Sequence, residues 1–412
     1  NFNQNRFQDV ISDLRVVLRR EETEQRALLL LAQAYFRTNE MVLAKDTYRR
    51  LLEVNPLHAD GLMQLAAIHA GEGDLAAAQP LLQRRTQSAP EDILAAGRYT
   101  EVLIQLGEYD AAEAEARRLV ALPEQQGLGD FQLGRVYQAR SDFAAAIPHF
   151  RAAVEKRPAD PPALESLVNV QAAAGRNSDN ITLLNEHLTE YPEQVHARFL
   201  LAATWAREGD TERARNYLEQ VIEERPQTPL AYASLASLYP EQPDQRLAIY
   251  RRGLEAMPGN TDMGMLLGTE LEQLGRYDEA IANYEALVEQ NPDYDPAVNN
   301  LAAMLLDHRS DEASHTRALQ LARRFASSDN AAMIDTLGWA HYRRGEYTQA
   351  VGLLERAVSR RGDVPVLRYH LGMTYLAMGN EVGARQQLEQ ALAAENTNFV
   401  GVEEARQALA NL

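Results

Sequence analysis

The chain contains no cysteine. Disulfides, zinc–thiolate sites and cysteine nucleophiles are therefore excluded within this segment. Lysine is nearly absent: of 41 basic residues, only Lys45 and Lys156 are lysines. So extreme an arginine bias points to a GC-rich bacterial genome. Although 45% of the residues are apolar, no run approaches the roughly 18 uninterrupted apolar residues that a membrane span needs. Aromatic residues make up only 7%, and alanine and leucine dominate, a bias that favours helices. Positive charge is in deficit, with 59 acidic residues against 41 basic ones and a formal net charge of −18. Such a surface repels nucleic acid and anionic lipid, so neither is expected as a main partner.

The motifs of common catalytic chemistry are missing as well. There is no His-Glu-x-x-His, Walker loop, nucleophile elbow or Gly-x-Gly-x-x-Gly. The nine histidines are scattered along the chain. His308 and His315 share a loop region with Asp307, Asp311 and Glu312, and this cluster reads as a solvated loop. We therefore expect no enzyme activity, catalytic residue, cofactor or resident metal in this segment.

What the chain does have is a period. Pro56, Pro90, Pro158, Pro192 and Pro226 are spaced by 34, 68, 34 and 34, and Pro258 and Pro292 continue the series. Each follows a helix-like run, as a helix stop should. Residues 261–294 show the repeating unit. Leu267, Gly268 and Leu271 mark a first helix, Gly275-Arg276-Tyr277-Asp278 a turn, and Ala280, Tyr284 and Leu287 a second helix. The spacing places each set on one helical stripe.

The same template fits units starting at 25, 59, 93, 127, 161, 195, 229, 261, 295, 331 and 365. Small residues recur at the eighth position (Ala32, Ala66, Gly134, Gly268, Gly338, Gly372) and the twentieth (Ala44, Ala78, Ala112, Ala280, Ala350). The eighth position departs from this at Thr100 and Val168, and the twentieth at Asn180 and Arg246. Turn glycines recur at Gly73, Gly107, Gly175, Gly209, Gly275, Gly345 and Gly379. The phase slips twice, in a short unit near Tyr239–Pro243 and in a longer one near Asp307–His315.

This pattern resembles the tetratricopeptide repeat (TPR), a helix–turn–helix unit of about 34 residues. The resemblance covers essentially the whole chain. It implies an all-α fold, an α-solenoid wound as a right-handed superhelix of about eleven repeats. Ordering one repeat costs about 1–2 kcal/mol per residue. A fully buried large apolar side chain returns only about 1.5–3 kcal/mol. Repeats must therefore stack and share interfaces.

Residues 25–398 are expected to form one continuous solenoid. Residues 1–24 match only the second helix of a repeat, which suggests a truncated unit and a longer parent protein. Residues 399–412 read as a capping helix, with Phe399, Val402, Ala405 and Leu409 on one stripe.

In the resembled family the first helices line a concave groove that takes protein or peptide ligands. Transferred position by position, the groove-lining candidates are Phe131, Arg135, Phe199, Asn299, Asn300, Trp339, Tyr342, Arg343, Tyr369 and Met373. The pairs 339/342 and 369/373 have i, i+3 and i, i+4 spacing on adjacent first helices. We expect them to meet in one open apolar patch, edged by Asn299, Asn300 and Arg343. The lysine of the family's carboxylate clamp has no counterpart at the fifth positions, which include Phe131, Phe199, Asn299, Asp335 and Tyr369.

The segment Ile334–Gly345 and the terminal Phe399–Arg406 stretch are similar to those of large bacterial envelope TPR proteins. Among these are lipoproteins associated with exosortase and exopolysaccharide export. That resemblance implies a scaffold in the cell envelope, on the periplasmic side, assembling or regulating an export or biosynthetic complex. The alternatives are a TPR regulatory or substrate-recruiting arm of a larger enzyme, such as a glycosyltransferase, and a cytoplasmic adaptor.

Overall fold

The computed structural model describes residues 7–122, 124–393 and 399–412. Residues 1–6 of the expected half repeat, and 394–398 ahead of the expected capping helix, lie outside the described residues. Among the described residues there are 24 α-helices, one 3-10 turn and no strand. The helices group into two compact units, one ending at Gly209 and one spanning Asp210–Leu412.

The first unit opens with α1 (Phe7–Arg20). Pairs follow: α2 (Gln25–Arg37) with α3 (Met41–Val54), and α4 (Ala59–Gly71) with α5 (Leu75–Ser88). Next come α6 (Ile93–Gln105) with α7 (Tyr109–Val120), and α8 (Gln126–Ala139) with α9 (Phe143–Lys156). The unit ends with α10 (Pro161–Ala173), α11 (Asn177–Glu190) and α12 (Val195–Arg207).

The second unit opens with α13 (Thr211–Glu224). Its pairs are α14 (Pro229–Ser237) with α15 (Pro243–Ala256), and α16 (Thr261–Gln273) with α17 (Tyr277–Gln290). Then come α18 (Asp295–His308) with α19 (Glu312–Ala322), the latter extended by the 3-10 turn Arg323–Ser327. The last are α20 (Ala331–Arg343) with α21 (Tyr347–Arg361), α22 (Pro365–Ala377) with α23 (Glu381–Leu392), and a final α24 (Val402–Ala410).

The first helices start at the template positions, with α8 one residue early. The two slips of phase have local causes. In the short unit α14 stops at Ser237, where the chain runs into Pro240 and Pro243. In the long unit α18 runs on to His308 and the second helix ends in a 3-10 turn over Arg323–Ser327.

Several pairs are closed by a glycine facing a large residue. A Cβ placed on Gly268 would lie 2.4 Å from the Tyr284 ring, and one on Gly134 would lie 2.5 Å from the Phe150 ring. Gly338 and Gly372 meet Leu354 and Leu388 in the same way. The turn between helices needs a left-handed residue, and Gly73 and Gly275 supply it with φ of 80° and 69°. Asn39 and Ser141 hold the same place with φ of 63° and 60°. The next residue often caps the second helix: Asp74, Asp142 and Asp210 accept from the amides of Ala77, Ala145 and Arg213.

Consecutive first helices also touch one another directly, α6 with α8 and α10 with α12 in the first unit, α18 with α20 and α20 with α22 in the second. Among the described residues, consecutive second helices make no comparable contacts. The first helices therefore form the inner side of each stack. Outer ends are stapled by arginines: Arg118 Nη1 donates to the Pro90 carbonyl at 2.7 Å, and Arg324 Nη1 to that of Pro292 at 2.6 Å. Arg84 reaches the Pro56 carbonyl likewise.

Candidate functional site

The inner side of the second unit gathers most of the expected groove residues on α18, α20 and α22. Gly268, Gly338 and Gly372 let the second helices pack close against α16, α20 and α22, where a Cβ would meet Tyr284, Leu354 and Leu388. Trp339 is the centre. Its indole stacks on Tyr342 (centroids 4.4 Å, 5° between planes) and, across the helix boundary, on His370 (4.0 Å, 15°). Tyr369 meets it at a tilt, 5.7 Å away. The two pairs of side chains expected to meet do meet.

They do not form an open patch. Trp339, Tyr369 and Met373 are 5%, 2% and 7% exposed, and only Tyr342 among the four is half-buried. The reason is physical: both faces of the indole are covered, one by Tyr342 and one by His370. The edge of Tyr369 is covered too, by the Phe399 ring at 5.4 Å and by Gly401, where a Cβ would lie 2.4 Å from the Tyr369 ring. Its hydroxyl donates to Glu404 Oε2 at 2.8 Å. Burial, helped by the Glu404 hydrogen bond, raises its phenol pKa far above the ordinary value. Burial likewise pushes the Tyr342 phenol up to about 12.

Around these rings lies a polar layer that motif reasoning had not assembled. The indole N–H of Trp339 donates to Asp307 Oδ1 at 3.2 Å, and His370 Nδ1 pairs with Asp335 Oδ2 at 2.9 Å. One repeat earlier, Asn300 donates to the Tyr284 hydroxyl at 3.2 Å, and that hydroxyl donates to Glu272 Oε1 at 2.6 Å. Burial holds the carboxyls of Glu272 and Asp307 above the ordinary carboxylate range, with Asp307 adding to the effect on Glu272 and Asp335 to that on Asp307. Tyr284 and His370, respectively, oppose it. The signal was available in the sequence as acids at inner positions of three successive units, but it is indistinguishable there from ordinary surface charge.

Arg343 serves a different purpose from the expected rim. It donates to the carbonyls of Leu306 and Arg309 and lies 3.0 Å from His315 Nε2. It thereby ties the long loop to α20. The other members of that loop are also committed. His308 stacks on Tyr277 at 3.5 Å, His315 lies 2.9 Å from the Arg309 carbonyl, and Asp311 caps α19 at Ser314. Asn299 is half-buried, and its Oδ1 is buried without a hydrogen-bond partner.

Phe131, Arg135 and Phe199 lie in the first unit, on α8 and α12, with α10 between those helices. The Phe131 ring packs on Phe150 at 5.8 Å, Arg135 is ion-paired with Glu101, and Phe199 is half-buried. Burial lowers the Arg135 pKa.

Stacked helix pairs with first helices along the inner side define a protein-interaction scaffold of the α-solenoid class. The sequence matches the tetratricopeptide repeat at residues 26–58, 131–195, 181–238, 241–305 and 341–412, more than half of the chain, and the chain belongs to that family. It is similar to cellulose synthase operon protein C of Komagataeibacter xylinus, with 24% identity over 219 residues, 50% of this chain and 16% of that protein. A TPR repeat-containing protein of Pseudomonas aeruginosa is 24% identical over 244 residues, 59% of this chain and 35% of that one. The matched region thus spans well under half the length of either relative. Among solved structures, that of the APC/C hetero-tetramer Cut9–Hcn1 aligns with a TM-score of 0.40 and 14% identity, covering 98% of this chain and 94% of that one.

Proposed function

We propose that the chain is a scaffold segment of the bacterial cell envelope. It holds partner proteins along the inner side of its first helices and assembles or regulates an export or exopolysaccharide biosynthesis complex. It catalyses no reaction itself. The observation that carries this reading is the inner side of the second unit. Tyr342, Asn299, Asn300 and Asp307 are half-buried there, over a rigid base of buried rings. A fixed surface of aromatic and amide groups suits capture of an extended or helical segment, because little side-chain entropy is lost on binding. The similarity to cellulose synthase operon protein C supports the choice of an exopolysaccharide system, and on this reading the segment works in the periplasm.

The test is a pair of chromosomal variants in the source organism. Tyr342→Ala with Asn300→Ala alters the inner side, and Val382→Ala alters an outer residue that is 82% exposed. The inner variant should lower secreted polysaccharide while the protein stays folded and at normal abundance, and the outer variant should leave it unchanged. Equal output from both variants would overturn the reading. Protease protection in intact cells, lost when the outer membrane is opened, checks the periplasmic placement.

A further inference from the structure

We propose that the first unit binds an acidic segment of a partner protein in the groove between α1 and α3, where Arg15, Arg19 and Arg50 take a carboxylate of that segment above the Tyr35 hydroxyl. The groove opens between second helices, whereas the scaffold reading above concerns the inner line of first helices. The proposal therefore goes beyond that reading and does not depend on it.

The first ground is an open cavity with a built floor. The groove encloses about 730 Å³. Arg15 and Arg19, one turn apart on α1, stand on one wall, and Arg50 of α3 stands on the other. All three are exposed, so an incoming group can reach them. The floor is α2, where Tyr35 is only 4% exposed. Arg15 Nε donates to the Tyr35 hydroxyl at 2.8 Å, which holds the guanidinium over the ring, 5.5 Å from its centroid. A buried hydroxyl thus fixes one of the three arginines and leaves its two Nη groups to bind.

The second ground is that the donors of this groove are unspent. In the next two repeats the counterpart of Arg50 is tied down: Arg84 to the Pro56 carbonyl and Arg118 to that of Pro90, each 28 residues back. The residue 28 before Arg50 is Glu22, not a proline. Among the described residues Arg50 makes no hydrogen bond or ion pair. Arg19 reaches only the Arg15 carbonyl, at 3.4 Å, and Arg15 meets no carboxylate. Elsewhere in the first unit arginines are paired: Arg85, Arg117 and Arg140 hold Asp92, Glu113 and Asp110. The Tyr35 hydroxyl accepts from Arg15 and keeps its own hydrogen to give. Two acids border the groove. Asp46 is bonded to Arg49 at 2.8 Å, and Glu22 is the one that competes with a ligand.

Guanidinium groups on two walls with a hydroxyl between them match a carboxylate, whose two oxygens take bidentate, charge-assisted hydrogen bonds. Leu18, Leu31 and Leu43 line the same groove and suit an apolar side chain next to the acid. A sugar acid would need an exposed ring face to stack on, and Tyr35 is buried. The experiment is an NMR titration of the full chain that follows the Arg15 Nε–H resonance, which the bond to Tyr35 holds in place. The probe is acetyl-Leu-Glu-Leu-amide, run beside acetyl-Leu-Gln-Leu-amide, glucuronate and inorganic phosphate. The glutamate peptide should move the resonance saturably, less so as salt is added, and the glutamine peptide should leave it in place. Glucuronate and phosphate lack the apolar flanks and should bind about tenfold more weakly.

The Arg19→Gln, Arg50→Gln double variant changes two exposed residues and keeps the reporter. It should weaken binding of the glutamate peptide about tenfold or more, as loss of charge-assisted hydrogen bonds requires, with helical circular dichroism unchanged. Arg84→Gln with Arg118→Gln, the spent counterparts, should leave binding as it is. Glu22→Gln removes the competing carboxylate and should tighten it, a gain that a purely structural role for the arginines does not give. A glutamine peptide that matches the glutamate one, or full affinity in the Arg19, Arg50 variant, would overturn the proposal. Glucuronate or phosphate binding as tightly as the peptide would overturn the protein partner in favour of a sugar acid or a phosphate group. Self-association of the chain that the same double variant abolishes would overturn it in favour of a second copy.

Discussion

Trp339 on one helix pair donates an indole N–H hydrogen bond to Asp307 on the pair before it, at 3.2 Å. His370 of the pair after it covers the back of the same ring. One side chain thus joins three consecutive repeats. Truncating it should cost about 3–5 kcal/mol, the range for a large buried aromatic. In a Trp205→Phe background the remaining fluorescence is that of Trp339. Acrylamide should quench it several-fold less than free indole. Quenching like that of an exposed tryptophan would contradict the stacked arrangement.

Asp307 should make stability depend on pH in an unusual direction. Burial raises its carboxyl pKa, against the pull of His370 and the indole hydrogen bond. A carboxyl with a higher pKa in the folded chain binds its proton more tightly there. Its contribution to stability is present at low pH and is lost as pH rises from the ordinary value of about 3.9 through the folded one. Asp307→Asn removes the charge and leaves an oxygen to accept from Trp339. The variant should therefore melt higher than wild type at about pH 7, and the gain should shrink as pH falls towards the ordinary carboxylate value of about 3.9. A gain that is the same at both pH values would assign the effect to packing.

Ser141 holds the left-handed turn place with φ of 60° where other repeats use glycine. It is exposed. A non-glycine residue pays roughly 1–2 kcal/mol in this conformation. Ser141→Gly should recover about 1 kcal/mol, reduced somewhat by the greater freedom of glycine in the unfolded chain. Chemical denaturation measures this, and a loss of stability would show that the serine is preferred there.

The arginine staples predict local breakage. Arg118→Ala removes the bond to the Pro90 carbonyl, worth about 0.5–1.5 kcal/mol for a hydrogen bond of this kind. Stability in a repeat stack is set by neighbouring interfaces. Hydrogen exchange should therefore quicken first in α5, α6 and α7. An equal rise throughout the first unit would contradict coupling between nearest neighbours.

Much of this was legible in the chain. The period placed the first helices because glycine, small residues and proline recur for steric reasons that a template captures. The departures from the template were visible as departures only. Asn180 donates to the main-chain carbonyl of Val168 at 2.9 Å. Arg246 reaches Glu270 at 2.6 Å and the Tyr239 carbonyl at 2.7 Å. Each replaces a small residue by a polar one whose partner lies far enough along the chain that spacing does not reveal it. At the inner face, spacing brought Trp339 and Tyr369 together. It could not show that His370, Phe399 and Gly401 close over them, because burial depends on what covers a side chain and not on its own position in the repeat.

The most direct measurement is site-specific photocrosslinking in the source organism. A photoreactive residue is placed at Tyr342 or Asn300 on the inner side, or at Val382 on the outer side. The account predicts that the two inner positions crosslink to the same protein of the export or polysaccharide system. It also predicts that Val382 does not crosslink to it. Crosslinks to that protein from Val382 with none from the inner positions would contradict it.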